Sequence, residues 1–266
     1  MADIYAAIKE ADPEVVGRLA DVLELRASDP QQRDLRLGYL SRLTFAEGAR
    51  VLEIGCGTGP ITRSLAENPR LMVVGVDPSP TMLDRARELS RAFANIEFRE
   101  GDARDLPFAG GTFDAVIYHT TLCHIPGPEV ALAEAHRVLV PGGQLAIFDA
   151  DYSTTSVAIC PGDPLQGCAE AAVGAIVHDP HIVRRLVPLA RGAGFDVHHF
   201  RSHSYDGVLD PGYLLTIVDR GAEALERDGR IGPDLGAALR AEARRRAASG
   251  EFFGHIAYAS LIGIRG

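Results

Sequence analysis

The sequence predicts an α/β fold in which a mostly parallel sheet carries helices on both faces. Short apolar runs of strand length alternate with segments of helical periodicity. The run Val51–Gly55 leads into glycines at every second position, Gly55, Gly57 and Gly59, and a later run ends in Asp77. Because parallel strands end at one edge of a sheet, we expect the glycine turn and the acid to lie together there.

Composition limits the range of functions. A chain of 266 residues with 46% hydrophobic residues suits one large domain, or one domain with an embellishment. A net charge of −9 argues against a nucleic-acid partner. No apolar run reaches membrane-spanning length and no signal-type N-terminus is present, so we expect no membrane partner and a cytoplasmic protein. The four cysteines form no C-x-x-C pair, which favours reduced thiols over a disulfide framework or a zinc site.

Two helices are predicted before the first strand. Asp12-Pro13 provides an N-cap and a first-turn proline for the first helix, and Asp29-Pro30 begins a second helix that reaches about Leu43. The apolar positions of the first helix recur at steps of three and four residues: Val15, Val16, Leu19, Val22 and Leu23. Residues 1–47 therefore form a helical extension, and residues 48–266 form the main domain.

The glycine segment predicts a ligand-binding turn. Val51–Gly55 is typical of a buried parallel strand, with one acid, Glu53, inside it. Glycine is needed where the backbone takes positive φ or approaches a ligand closely. A helix over about Ile61–Glu67 follows, so its N-terminal amides point to the same place.

The second predicted strand, Leu71–Val76, ends in Asp77, 18 residues after Gly59. Nucleotide-binding sheets hold ribose hydroxyls with an acid at this place, and a carboxylate has the two acceptors that a vicinal diol needs. An alternative role is the N-cap of the next helix, Pro78–Leu89, and the two roles are compatible. Met82, one turn into that helix, is expected to lie against an adenine.

Three more strands are predicted before residue 150: Ile96–Glu100, Phe113–Tyr118 and Gln144–Phe148. Gly101-Asp102-Ala103 follows the first of these strands. The second leads into a loop from His119 to His124, at the edge where open α/β sheets bind ligands. A helix over Pro128–Val140 precedes the third strand.

Four motifs in this order resemble class I S-adenosylmethionine-dependent methyltransferases. They are the E-x-G-x-G-x-G spacing that starts at Glu53, the acid Asp77, the string G-D-A-R-D-L-P-F from Gly101, and R-V-L-x-P-G-G-x-L from Arg137. The resemblance covers residues 50–149. It implies a Rossmann-like, seven-stranded sheet and S-adenosylmethionine as cofactor, with S-adenosylhomocysteine as product. It also implies that Asp102 takes the adenine amino group. The residues expected to bind the cofactor are Glu53, Gly55, Cys56, Gly57, Gly59, Asp77, Pro78, Met82, Asp102, Ala103 and His119.

The chain beyond Asp149 resembles the family less. We expect Asp149–Tyr152 to leave the fifth strand as a polar loop. A helix from Asp179 to Gly192, a sixth strand, two helices and a seventh strand are then predicted, the last four over Phe195–His203, Pro211–Leu225, Pro233–Ala248 and Phe252–Ile264. The two late helices, within an insertion at about 207–250, are interpreted as a cap that shapes the acceptor pocket. They could equally form an oligomer interface, which leaves a homodimer open.

Residues 1–47 have two interpretations. They pack over the sheet edge, or they form a lid over the cofactor, as methyltransferases of this type suggest, with Tyr5, Arg33 or Tyr39 reaching inward. Mobile elements often close sites of this kind.

The catalytic candidates follow from the implied cofactor, whose sulfonium methyl is already activated. The enzyme must chiefly align a nucleophile with it, and a general base is needed only if the acceptor still carries its proton. His119 and His124 are the candidates by position. Alternatively, the His119 ring packs beside the cofactor and His124 caps the loop. Asp149 and Asp151 are the only visible acids for a hard cation, so no metal is expected.

Three functions remain open. The first is methyl transfer to an oxygen, nitrogen or carbon atom of a small molecule, such as a secondary metabolite of a natural-product pathway. The second is cyclisation or rearrangement on the same fold without net methyl transfer, because a fold does not fix a reaction. The third is a non-catalytic S-adenosylmethionine-binding module.

Overall fold

The computed structural model describes residues 5, 8 and 11–266. Its helices are α1 (Pro13–Ser28), α2 (Pro30–Leu40), α3 (Pro60–Ala66), α4 (Pro80–Leu89), α5 (Pro128–Val138), α6 (Leu165–Ile176), α7 (Leu186–Gly192), α8 (Gly212–Arg227) and α9 (Pro233–Ser249). Its strands are β1 (Arg50–Ile54), β2 (Met72–Asp77), β3 (Ile96–Glu100), β4 (Phe113–His119), β5 (Leu139–Ser156), β6 (Phe195–Asp206) and β7 (His255–Arg265).

The seven strands form one sheet in the order β3-β2-β1-β4-β5-β7-β6. The first five strands in this order pair in parallel, and β7 is antiparallel to both of its neighbours. The predicted Rossmann-like, seven-stranded and mostly parallel sheet is therefore confirmed. The reversal of direction at β7 gives the sheet a mixed character.

The centre of the sheet explains where the site lies. β1 and β4 are adjacent, and each is buried over most of its length, as expected for parallel strands covered on both faces. The order of strands reverses between them, since the chain runs from β1 outward to β3 and then returns to β4. Ligands bind in the crevice at such a switch point, outside the carboxyl ends of the strands. Gly55, Asp77 and Thr120 all begin loops at this edge.

The longest strand, β5, differs from the prediction. Asp149–Tyr152 belongs to this strand and is not a polar loop, because β7 pairs with it beyond residue 148, with Asp149 opposite Ala259 and Asp151 opposite Ala257. Antiparallel partners satisfy the backbone hydrogen bonds of the segment, so its acidic residues remain in the sheet. A pattern of polar side chains alone does not reveal such a partner.

Helix α6 was not predicted from the sequence. Its buried residues Leu165, Cys168, Ala169 and Ala172 do recur at helical spacing, but the helix is rich in alanine and contains two glycines, so this face contrasts little with the other. Two other regions also differ. The segment after Asp179 is a 3-10 turn, Ile182–Arg185, followed by the shorter helix α7. The helix after β2 begins at Pro80, because Ser79 and not Asp77 supplies the capping side chain.

The N-terminal helices and the late helices surround the site. α1 packs against α4 and α8, and α8 packs against α6 and α9. α8 and α6 approach closely at Gly221, where a Cβ would lie 1.8 Å from the carbonyl oxygen of Cys168. The division into a lid of residues 1–47 and a cap of about 207–250 stays a prediction. In the part of the chain that the structure describes, no helix has both the length and the apolar character to cross a membrane.

Candidate active site

A cavity of about 300 Å³ opens at the carboxyl edge of the sheet. Its walls come from the loops after β1, β2, β3 and β4, and from α1, α6 and α8. The structure brings most of the residues predicted to bind the cofactor into this lining: Glu53, Gly55, Cys56, Gly57, Asp77, Pro78, Met82, Asp102, Ala103 and His119. Gly59 lies outside it, at the N-terminus of α3 against Phe98, and its cofactor contact stays a prediction.

The glycine loop has the backbone that its sequence predicts. Gly55, Gly57 and Gly59 have φ values of 70°, 52° and 78°, which disfavour residues with a Cβ. Space is also restricted, because a Cβ on Gly55 would lie 2.2 Å from Cγ2 of Thr121. The loop therefore presents bare backbone to the cavity, as a cradle for a ligand requires.

Asp77 holds the glycine loop to the end of β2. Its Oδ2 accepts a hydrogen bond from the Gly57 amide at 2.8 Å, and its Oδ1 accepts one from the Ser79 amide at 2.9 Å. Burial raises the pKa of Asp77 to about 6, and the two amides oppose this rise. A carboxylate oxygen has more than one lone pair, so each can accept a further hydrogen bond from a ligand hydroxyl.

Glu53 is a buried acid at the same edge. Its Oε2 accepts a hydrogen bond from the Thr62 hydroxyl on α3. Burial raises the pKa of Glu53 to about 8, a rise that the bonds from Thr62 oppose and the charge of Asp77 reinforces. Near neutral pH, Glu53 is therefore largely protonated and can donate as well as accept a hydrogen bond.

Asp102 lies at the outer end of the cavity. Its Oδ2 pairs with Nη2 of Arg104 at 2.7 Å, and its Oδ1 accepts the Arg104 amide at 2.8 Å. The carboxylate is partly exposed, so a ligand can share it with Arg104. Its predicted contact with an adenine stays a prediction.

His119 is enclosed by aromatic rings. It stacks on Phe148 with ring centroids 4.9 Å apart, and its Nδ1 lies 3.0 Å from the Tyr39 hydroxyl. Burial lowers the pKa of His119 well below its usual value, and the positive charges of Arg26 and Arg36 lower it further. The ring is therefore neutral at physiological pH and has one nitrogen engaged by α2.

His124 occupies a different environment. It ends a 3-10 turn after β4, lines the cavity, and lies 4.6 Å from the ring of Tyr5 between centroids. The buried carboxylate of Asp149 is close enough for the charge of a protonated His124 to oppose the burial-driven rise in the pKa of Asp149. Asp149 is itself fixed by the amides of Cys123 and Ala150. His124 thus lies at the cavity wall, beside a buried acid that the backbone holds in place.

Arg26 and Thr120 were missed from the sequence. Thr120 has a φ of 52°, a rare conformation for a residue with a branched Cβ. Nη2 of Arg26 donates to its hydroxyl at 2.7 Å, and the Thr120 amide donates to the Phe148 carbonyl. Arg26 continues the apolar face of α1 one turn after Val22 and Leu23. An arginine on the apolar face of a helix is the sequence signal that could have indicated a polar contact inside the protein.

The acids considered for a metal have other partners. Asp151 pairs with Nε of Arg184 at 2.8 Å, and Asp149 accepts the two amides described above. Across residues 5, 8 and 11–266, no group of three or more His, Cys, Asp or Glu side chains is placed to hold a metal ion.

A family model described as a methyltransferase domain matches residues 52–147, which contain the glycine loop, Asp77 and the strands up to β5. Residues 52–147 are therefore a methyltransferase domain. This confirms the resemblance seen in the sequence and the class of cofactor. The residue contacts with that cofactor stay predictions.

Two curated relatives show how far along the chain the sequence similarity extends. An uncharacterised 37.1 kDa protein in a transposon of Streptomyces fradiae is 31% identical over 66% of this chain and 51% of its own length. A demethylmenaquinone methyltransferase of Staphylococcus aureus is 31% identical over 53% of this chain and 60% of its own length. The chain thus spans little more than half the length of these relatives.

Among solved structures, the methyltransferase domain and its surroundings are similar to the [4+2]-cyclase SpnF. The TM-score is 0.62 at 20% identity, and the match covers 100% of this chain and 97% of that chain. At this identity the similarity shows the fold alone.

The N-terminal extension contributes to the cavity of the methyltransferase domain. Tyr5 lines the cavity, and Tyr39 reaches His119. Arg33 is exposed on the outer face of α2, so the prediction that it reaches inward is wrong. Residues 1–4, 6, 7, 9 and 10 of the predicted lid lie outside the described residues.

If the extension acts as a lid, the amides of α1 should gain protection from hydrogen exchange when S-adenosylhomocysteine binds. We expect this because Leu23 approaches the glycine loop at Gly57, and Glu24 pairs with Arg63 on α3 at 2.7 Å. Exchange measured by mass spectrometry provides the test. α9, which contributes no residue to the cavity lining, is the internal control. Equal protection of α1 with and without ligand would show that it only packs.

Proposed function

We propose that this protein transfers a methyl group from S-adenosylmethionine to a small-molecule acceptor. The observation that carries the proposal is the shared cavity. One end is formed by the glycine loop, Asp77 and Asp102, and the other by α6 and α8. A cofactor at the first end and an acceptor at the second would meet beside the loop after β4.

The acceptor end supports a small, partly apolar substrate. Val173 and Ile176 of α6, Tyr213 and Ile217 of α8, and Tyr152 of β5 form its walls. Apolar walls with a few placed polar groups are typical of small-molecule sites. An acceptor from secondary metabolism and a cytoplasmic setting belong to the proposal.

The residues of this chain have three tasks in such a reaction. Asp77 and the glycine loop hold the ribose and the adjacent part of the cofactor. The walls of the cavity exclude water and orient the acceptor, and His124 accepts a proton if the acceptor carries one. When bound, the cofactor supplies an activated methyl group on a sulfonium.

Cyclisation without methyl transfer is the second candidate function. It is favoured by the similarity to the [4+2]-cyclase SpnF, which extends over the whole chain, including the late helices outside the residues that the family model matches. In that case the cofactor would help to bind the substrate or to stabilise the folded protein, and it would not be consumed.

The two candidates differ in the fate of a labelled methyl group. The full-length protein is incubated with S-adenosylmethionine carrying a ¹³C-methyl group and with a panel of phenols, amines and acids. Methyl transfer gives a labelled product together with stoichiometric S-adenosylhomocysteine, both measured by mass spectrometry. A changed acceptor of unchanged mass, with the cofactor intact, would instead support cyclisation.

Asp77→Ala should weaken the binding of S-adenosylmethionine by about 10- to 100-fold, because hydrogen bonds to a charged group contribute roughly 1.5–3 kcal/mol. The substitution also removes the hydrogen bond that the Gly57 amide donates to Asp77. Calorimetric titration measures the affinity. Asp84→Ala, an exposed change on α4, is the matched control and should bind normally. Unchanged affinity of Asp77→Ala would exclude Asp77 from the cofactor site.

A further inference from the structure

One arginine in the acceptor end of the cavity has no role in the reaction described so far. Tyr213, Ile217 and Arg220 are spaced by four and three residues on α8, so they lie on one face of the helix, and all three line the cavity. Val173 and Ile176 of α6 lie in the same lining. Arg220 thus places a positive charge within mainly apolar walls.

Among the residues that the structure describes, Arg220 also lacks a partner. Its Nη2 is buried and forms no hydrogen bond, and no carboxylate among the described residues lies within ion-pairing distance of its guanidinium. Two of the three acids near it along α8 are used elsewhere, since Asp219 pairs with Arg244 at 2.8 Å and Glu226 pairs with Arg240 at 2.9 Å. The third, Glu223, is exposed and forms no ion pair with Arg220. The acids of α8 therefore pair with two arginines of α9 and leave the cavity-facing Arg220 without an acid among the described residues.

Two other arginines line the cavity, and both have partners: Arg104 pairs with Asp102, and Arg26 has the contacts that follow. Arg26 donates to the Thr120 hydroxyl at 2.7 Å and lies over the ring of Tyr213, 5.9 Å from its centroid. These contacts fix its guanidinium beside the loop after β4. Arg220 has no comparable contact among the residues described, so an added ligand would be the first partner of its buried nitrogen.

Packing fixes the backbone of α8 next to Arg220, whose side chain is half-buried. The next residue, Gly221, is packed against the backbone of Cys168 on α6, so α8 cannot rotate without opening this contact. A buried donor without a partner costs free energy, and the cost is greater for a charged group. The planar guanidinium matches carboxylate and phosphate groups, which it binds through two parallel hydrogen bonds. An anion at this point would remove the cost.

We propose that Arg220 binds an anionic oxygen group, a carboxylate or a phosphate, on the acceptor. The inference rests on the proposed function, since it names the class of substrate for the same cavity. The group methylated would then lie toward His124 and the loop after β4, and the anion would anchor the far end of the molecule against α8.

The test uses the full-length protein saturated with S-adenosylhomocysteine and three probes: benzoate, phenyl phosphate and benzamide. Benzamide has nearly the shape of benzoate but no charge. We expect at least one anion to bind more tightly than benzamide in calorimetric titration. In Arg220→Gln this advantage should fall by about 10- to 100-fold, the loss expected for a charged hydrogen-bonded pair. Benzoate and phenyl phosphate together distinguish a carboxylate site from a phosphate site.

Two further variants make the result specific. Arg220→Lys keeps the charge and should keep part of the preference for an anion. Arg227→Gln, on the exposed part of the same helix where Arg227 pairs with Asp228, should behave as wild type. Equal binding of benzoate, phenyl phosphate and benzamide, an unchanged preference in Arg220→Gln, or no binding of either anion would each overturn the proposal.

The outcome can be separated from that of the proposed function. Anion binding through Arg220 is measured without turnover, and binding of S-adenosylhomocysteine to Arg220→Gln is measured in the same instrument. A protein that shows the preference for an anion but never transfers the labelled methyl group would support this site and reject methyl transfer. A protein that methylates only neutral acceptors would support methyl transfer and reject the anion site at Arg220.

Discussion

His124→Ala should lower turnover by about 10²–10⁴-fold at saturating cofactor and acceptor, the usual contribution of a general base, for an acceptor that is protonated before transfer. His119→Ala should stay within about tenfold of wild type. His119 ends β4, His124 lies five residues later, and both line the cavity, so position along the sequence does not separate them. The expectation comes from their surroundings.

The surroundings of the two rings are opposite. Burial and two nearby arginines keep His119 neutral, which makes it a weak proton acceptor, and Tyr39 engages its Nδ1. His124 instead lines the cavity at the end of the turn after β4. It is therefore the better placed of the two rings to take a proton from the acceptor.

Added imidazole provides the control for this pair. It should restore part of the activity of His124→Ala, since a small base can enter the space that the ring leaves, and it should not affect His119→Ala. Steady-state rates with both substrates saturating separate turnover from binding. A large fall in turnover for His119→Ala that imidazole rescues would assign the base to His119 instead.

The contribution of Glu53 to the free energy of unfolding of the unliganded protein should fall as pH rises from about 4.5 to about 8. The usual pKa of this carboxyl is 4.5, and burial raises it to about 8 in the folded protein. Between these two pKa values the folded state binds more protons than the unfolded state. The stabilisation from Glu53 is therefore complete below pH 4.5, and it is lost as pH rises through about 8. The change is limited to about 5 kcal/mol, at about 1.4 kcal/mol for each pKa unit.

Asp77 adds a smaller change of the same sign, from its usual pKa of 3.8 up to about 6. Denaturant unfolding across this pH range measures the slope. Glu53→Gln carries no charge at any pH, keeps an acceptor for the Thr62 hydroxyl, and should flatten the curve above pH 6. Glu129→Gln, an exposed change on α5, should leave the slope as in wild type. An unchanged slope in Glu53→Gln would show that Glu53 is not the group responsible.

The cofactor end of the cavity could be predicted from the sequence because its requirements are local. Positive φ demands glycine at Gly55 and Gly57, and a strand that ends at the switch point places Asp77 beside them. Each of these constraints acts on a few consecutive residues, so it appears in the sequence as a characteristic spacing of residue types. The same holds for β1 to β4, whose apolar runs are buried on both faces.

The acceptor end could not be predicted, because it is assembled from distant segments. Arg26 and Arg220 come from helices almost 200 positions apart, and only packing on the same sheet edge brings them to one cavity. α6, which forms the opposite wall, has apolar residues at helical spacing, but its alanines and glycines leave little contrast between its two faces. β5 continues through Asp151 because β7 pairs with it, and pairing across about 100 residues leaves no local pattern.

The tyrosines of the cavity have a practical consequence. The chain has seven tyrosines and no tryptophan, so its native ultraviolet emission comes from tyrosine. Three of the seven, Tyr5, Tyr152 and Tyr213, line the cavity, and Tyr152 and Tyr213 belong to the acceptor end. A ligand that enters the cavity changes the surroundings of nearly half of the emitting groups. Occupancy can therefore be followed optically in the unmodified protein, without a dye and without a known substrate.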